Sequence, residues 1–112
     1  MAIRRFTTPT VEIIVGDKDI TGSKAYATFR QERPTGGMRR MTIPASSMDY
    51  DGIDTTVYVQ MTQEQTGSLY VGHVEIDLNW ITSNGKRNGT AKTYADVEDN
   101  LLDSRIDYDA GN

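Results

Sequence analysis

Cysteine is absent from the 112-residue chain. That removes disulfides, thiolate metal sites and thiol nucleophiles together, so the core must hold by burial. Histidine occurs once, at His73. A catalytic triad or metal site built on it would have to recruit every other group from elsewhere, and a strand-end residue is the simpler reading. Long apolar runs are also missing, which excludes a membrane-spanning helix. Residues 1–10 carry Arg4 and Arg5 but no apolar stretch after them, so no secretion signal is expected.

The chain has the size of one domain, with a single core. Ten glycines against three prolines, with frequent threonine and tyrosine, favour strands joined by tight turns. The net charge of −4 is uneven. Residues 96–112 hold six acids (Asp96, Glu98, Asp99, Asp103, Asp107, Asp109) against one base, Arg105, whereas residues 1–95 are nearly neutral. An acidic end argues against nucleic acid as a partner. Arg4, Arg5, Arg33, Arg39 and Arg40 make a weak basic-patch signal, without interleaved aromatics.

Period-two alternation dominates, the mark of strands with one buried face. Val11, Ile13 and Val15 alternate with Glu12, and residues 16–19 read as a turn. Ala25, Ala27 and Phe29 share one face, with Lys24, Tyr26, Thr28 and Arg30 on the other. Residues 39–43 form a short strand, and residues 46–54 are expected to be irregular, with a tight turn at Asp51-Gly52. Val57, Val59 and Met61 point inward. Thr62 followed by Gln65 is a capping box, and Gly67 limits the helix to about one turn crossing between sheets. Val74, Ile76, Leu78 and Trp80 alternate over residues 72–81. A hairpin at Asn84-Gly85 leads to a strand over residues 90–97. Residues 99–106 then predict a short helix, with Leu101, Leu102 and Ile106 covering the open end of the core. The expected fold is an all-β, antiparallel two-sheet sandwich of immunoglobulin-like Greek-key type with one helical turn and that C-terminal helix. Residues 1–10 form an extended arm, 11–107 the domain, and 108–112 a disordered tail.

Candidate chemistry is sparse. Asp49, Asp51 and Asp54 cluster as calcium ligands would, but lack the long loop and distal glutamate of the helical motif, so a charged turn is the better reading. Glu75 and Asp77 share an exposed strand face rather than facing across a cleft, and read as solvated or paired with Lys92 on the neighbouring strand. Gly85-Lys86-Arg87-Asn88-Gly89 is basic and glycine-flanked, but a strand follows it where a phosphate loop needs a helix. No enzyme, metal or cofactor is expected. Tyr26, Tyr58 and Tyr94 sit on the polar sides of their strands. They are either contact residues for a partner or are covered by the arm or the C-terminal segment. Phe6, Thr7, Thr8 and Pro9 form an extended stretch able to pair with a sheet edge, its own or a neighbour's.

Several stretches in order resemble small prophage-encoded proteins of tailed bacteriophages. They are Arg4-Arg5-Phe6-Thr7-Thr8-Pro9-Thr10, Ala25-Tyr26-Ala27-Thr28-Phe29-Arg30-Gln31, and Val57-Tyr58-Val59-Gln60-Met61-Thr62-Gln63-Glu64-Gln65-Thr66. Gly72-His73-Val74-Glu75-Ile76-Asp77-Leu78-Asn79-Trp80 with Asn84-Gly85 completes the set. The chain departs from that pattern in its long basic stretch over residues 31–50 and in its acidic end. The resemblance implies an architecture similar to the immunoglobulin-like N-terminal domain of baseplate upper proteins. It also implies a non-enzymatic structural or assembly role in the tail or baseplate, with other phage structural proteins as partners and a homo-oligomer among the expected states. The location it implies is the cytoplasm of the bacterial host during assembly, or the virion. The rival expectation is a carbohydrate-binding sandwich using Tyr58, Tyr94, Asn79 and Asp77.

Overall fold

Side-chain alternation carries through to three dimensions in the computed structural model, which describes residues 1–102 and 104–106, the side chains of 88–90 excepted. The strands are β1 (Ala2–Arg4), β2 (Thr10–Val15), β3 (Lys24–Glu32), β4 (Met38–Pro44), β5 (Ser47–Tyr50), β6 (Thr55–Gln60), β7 (Gly72–Ile81) and β8 (Arg87–Glu98). The helix α1 (Gln63–Gly67) lies between β6 and β7. One sheet has the order β1-β8-β7-β3-β4 and the other β2-β6-β5. Successive hairpins and crossovers place β2, β6 and β5 as strands B, E and D of an immunoglobulin-like Greek key, with β3, β4, β7 and β8 as C, C′, F and G.

All pairings are antiparallel except one. β1 runs parallel to β8, Ile3 opposite Val97, so the expectation of a purely antiparallel sandwich is corrected at that edge. The arm expected at residues 1–10 therefore contributes a strand to its own domain.

The inward positions of each strand are the buried ones: Val11, Ile13 and Val15 on β2; Val57 and Val59 on β6; Val74, Ile76, Leu78 and Trp80 on β7. Small residues lie beside large ones across the ladder, Ala25 opposite Trp80 and Ala27 opposite Leu78. This lets the bulky side chains of β7 fill the space between sheets without overpacking. Each large apolar side chain buried in this way contributes about 1.5–3 kcal/mol.

Three polar side chains are buried as deeply as this core: Thr55, Thr66 and Gln31. Each pairs with both the N–H and the C=O of a connecting segment. The Thr66 hydroxyl accepts from the Thr7 N–H at 3.1 Å and donates to the Thr7 carbonyl at 2.8 Å. The Thr55 hydroxyl donates to the Lys18 carbonyl at 2.6 Å and accepts from the Ile20 N–H at 3.1 Å. The Gln31 amide donates to the Tyr70 carbonyl at 2.6 Å and accepts from its N–H at 2.9 Å. Backbone groups drawn against a core must find partners, and here side chains stand in for absent strands.

The capping box closes α1: the Thr62 hydroxyl accepts from Gln65 N–H, and the Gln65 side chain accepts from Thr62 N–H. α1 has no basic residue in its last turn. Arg5 supplies that charge, donating from Nη2 to the Gly67 carbonyl at 2.9 Å and from Nε to Leu69 at 3.0 Å. The Phe6 ring presses on Gly67, where an added Cβ would lie 2.4 Å from a ring carbon. Phe6 itself takes a left-handed φ of 60° to reach it, a conformation unusual for an aromatic residue.

Two further expectations fail. Residues 46–54 are not irregular throughout, because β5 pairs with β6, Met48 opposite Val57. The C-terminal helix is absent among the described residues, and Leu101, Leu102 and Ile106 are exposed instead of covering the core. Arg5, the half-buried Phe6 and the buried Leu69 occupy the corner beside α1 instead. The tail expected over residues 108–112 lies outside the described residues.

Replacing Thr66 by valine keeps its shape but leaves the Thr7 N–H and C=O without their partner. Urea unfolding of Thr66→Val should show a loss of about 1–3 kcal/mol. Thr7→Val should cost less, since the Thr7 hydroxyl makes only an exposed bond to the Arg4 carbonyl. Equal losses at both positions would contradict the clamp.

Candidate interaction surface

The outward positions of the five-stranded sheet form a grid set by strand register. Arg40, Arg30, Glu75 and Tyr94 lie in one row across β4, β3, β7 and β8, and Thr42, Thr28, Asp77 and Lys92 in the next. A third row carries Pro44, Tyr26 and Asn79. The centre is held by alternating charge. Arg30 Nε lies 3.6 Å from Glu75 Oε2, and Lys92 Nζ lies 3.7 Å from Glu75 Oε1 and 3.8 Å from Asp77 Oδ1. Of the two readings of Glu75 and Asp77, solvated or paired with Lys92, the structure shows the pairing. Such exposed pairs order side chains more than they stabilise the fold.

Two tyrosines rise from this face on either side of the charges, Tyr94 50% and Tyr26 40% exposed. The His73 ring stacks on Tyr94 with centroids 5.3 Å apart and planes 19° apart, and His73 Nδ1 lies 3.7 Å from Asp96 Oδ1. His73 thus stands at a strand start, as expected, and braces an aromatic side chain. Open grooves adjoin both tyrosines. One of about 490 Å³ is lined by Tyr94, His73, Glu75, Arg30 and Met38. Another of about 350 Å³ is lined by Tyr26, Thr28, Thr42, Asn79, Ile81 and Arg87.

The remaining expected contact residues lie elsewhere. Tyr58 is on β6, half-buried on the outer side of the three-stranded sheet opposite Glu12, so the three tyrosines do not share a face. Phe6 is spent on Gly67 and Thr7 on Thr66. The Thr8 carbonyl accepts from Gln60 Nε2 at 2.9 Å, and the Pro9 carbonyl accepts from Met61 N–H at 3.0 Å. The arm is engaged within its own chain at every one of these residues. For the carbohydrate reading, Tyr94, Asn79 and Asp77 share the five-stranded face while Tyr58 is on the opposite side. The basic patch also divides: Arg4 and Arg5 sit at the β1 edge near Glu98 and Asp99, and Arg39 and Arg40 on β4 at the other edge.

The acid cluster of 49–54 is a turn device. Asp51 Oδ1 accepts from the N–H groups of Ile53 at 2.9 Å and Asp54 at 2.8 Å, around Gly52 at a φ of 100°. Asp54 Oδ1 accepts from Asp17 N–H at 2.9 Å, tying this turn to the one after β2.

Compared with family models, with curated proteins and with solved structures, the chain finds no match.

The backbone donors from Asp54 and Ile53 hold the Asp51 carboxyl below its ordinary value. A depressed folded value means the turn's contribution is complete above the unfolded aspartate value of about 3.9 and is lost as pH falls through the lower folded value. A carboxyl carbon NMR titration should place the Asp51 midpoint below that of a free aspartate. A midpoint at or above the ordinary value would contradict the turn geometry.

Proposed function

We propose that this domain is a non-enzymatic structural or assembly module of a tailed-phage or prophage particle, in its tail or baseplate. It docks other structural subunits through the outer face of its five-stranded sheet and acts in the host cytoplasm during assembly or within the virion. The observation that carries this reading is the pair of exposed tyrosines, Tyr26 and Tyr94, flanking a braced field of opposite charges on one face. Aromatic anchors ringed by polar groups are the usual composition of a protein contact. The resemblance of the strand segments to small prophage proteins points the same way. The arm no longer takes part, since its groups are committed within the chain.

The groove beside Tyr26 supports a second reading, because it joins an aromatic ring to Asn79, Thr28, Thr42 and Arg87, a mixture that suits a sugar. A glycan array, followed by tyrosine fluorescence titration with cell-wall sugars, separates the two.

Tyr94→Ala and Tyr26→Ala should each leave the unfolding free energy within about 0.5 kcal/mol of the parent. Each should weaken binding of the cognate tail subunit tenfold or more by calorimetry, with candidate subunits taken from the neighbouring genes. Undiminished binding by both variants would remove this face from consideration.

A further inference from the structure

We propose that the free edge of β4 receives the acidic C-terminal segment of a second copy as an added strand, linking copies head to tail. This rests on the reading of the domain as an interaction module and names one partner and one edge. Among the described residues β4 closes one side of the five-stranded sheet and pairs with β3 alone, so none of them meets its outer N–H and C=O groups as a strand. Such an edge is a template for another chain.

The charge on this edge is unbalanced. Arg40 lies directly opposite Arg30, an unfavourable arrangement of like charges. Arg30 has Glu75, whereas Arg40 has no ion pair among the described residues. The buried Nε of Arg39 has no hydrogen-bond acceptor. The edge therefore calls for carboxylates on one side and for fresh acceptors along its length.

Residues 102–109 offer both. Leu102, Ser104, Ile106 and Tyr108 alternate with Asp103, Arg105, Asp107 and Asp109, a period of two that suits a strand with one apolar and one mainly acidic side. Laid against β4, the acidic side falls beside Arg40 and Arg30. The apolar side falls beside Met41 and the buried Ile43, on the inward face of β4. The strand's carbonyls and Ser104 bring acceptors toward Arg39.

Within one chain the segment begins at the opposite edge of the sheet. Asp99 and Asn100 are held there by Arg5. Beyond them, Ile106 is bonded through its N–H and C=O to the Gln63 side chain, and Arg105 to Glu64. These are solvent-exposed contacts on the first turn of α1, and they compete weakly with strand addition. Reaching a neighbour's β4 releases these contacts and keeps the anchors at Asp99 and Asn100. Reaching the chain's own β4 means crossing the full sheet. A contact between two different surfaces of the same molecule builds rings or filaments.

Sedimentation equilibrium over a concentration series tests the link. The full chain should associate, while a chain ending at Glu98 and the variant R40E should associate at least tenfold more weakly with unchanged circular dichroism. Adding D103K/D107K to R40E should restore association. Independently, a synthetic peptide of residues 99–112 should shift the NMR amide signals of β4 in the truncated chain. A full chain that stays monomeric at the highest concentration, with no β4 amide moved by the peptide, overturns the proposal. A monomer that still binds a tail subunit through Tyr94 sinks this inference alone. Self-association without subunit binding upholds the inference and counts against the broader function.

Discussion

Thr55, Thr66 and Gln31 close the corners of this sandwich, and the rest of the architecture depends on how they do it. A two-sheet fold must pass its chain from one sheet to the other, and each crossing drags backbone N–H and C=O groups against the core. Leaving such a pair unmet costs about 1–3 kcal/mol per group, comparable to the burial of a whole apolar side chain. With no cysteine to pin the sheets, three of the four crossings are fixed by single buried groups that carry both a donor and an acceptor, and the β4–β5 crossing by backbone bonds from Ala45 and Ser46. Thr66 holds the entry to β2, Thr55 the β2–β3 crossing, and Gln31 the entry to β7. All the deeply buried polar residues described in the chain serve this one purpose.

That solution has consequences for the surface. Because Thr66 and α1 take up Thr7, Phe6 and Arg5, the N-terminal segment becomes part of the domain instead of an arm for a neighbour. The outer face of the five-stranded sheet and the edge of β4 stay available. The face is fixed by strand register: Tyr26 and Tyr94 stand at register positions of β3 and β8, and Tyr94 is braced by the stacked His73 ring. A rigid aromatic contact loses little conformational entropy on binding, which suits an assembly role better than a mobile arm would.

Much of this was legible in residue order, and the failures share a cause. Alternation located the buried sides of β2, β3, β6 and β7, and the Thr62–Gln65 capping box located α1. Alternation says which side of a strand is wet but not which sheet the strand joins, so Tyr58 was grouped with Tyr26 and Tyr94 although it lies on the other sheet. β5 was missed because Met48 is its only large apolar inward residue, too little for a periodic signal. The expected helix after Asp99 followed from the spacing of Leu101, Leu102 and Ile106, but those side chains are exposed, and Phe6 and Leu69 take the corner beside α1. Phe6 at a positive φ has no signature in the sequence at all. The corner clamps were equally invisible, since Thr55 and Gln31 read as ordinary strand residues and Thr66 as a helical one until their backbone partners are known.

Native-state hydrogen exchange of three amides tests the central claim most directly. Thr7, Ile20 and Tyr70 lie in connectors, where exchange is ordinarily fast, yet each donates to a buried side chain. They should exchange as slowly as the amides in the middle of β7, within about tenfold. Exchange at the rate of the exposed turn after β3 would show that the corners open freely and that something else holds the two sheets together.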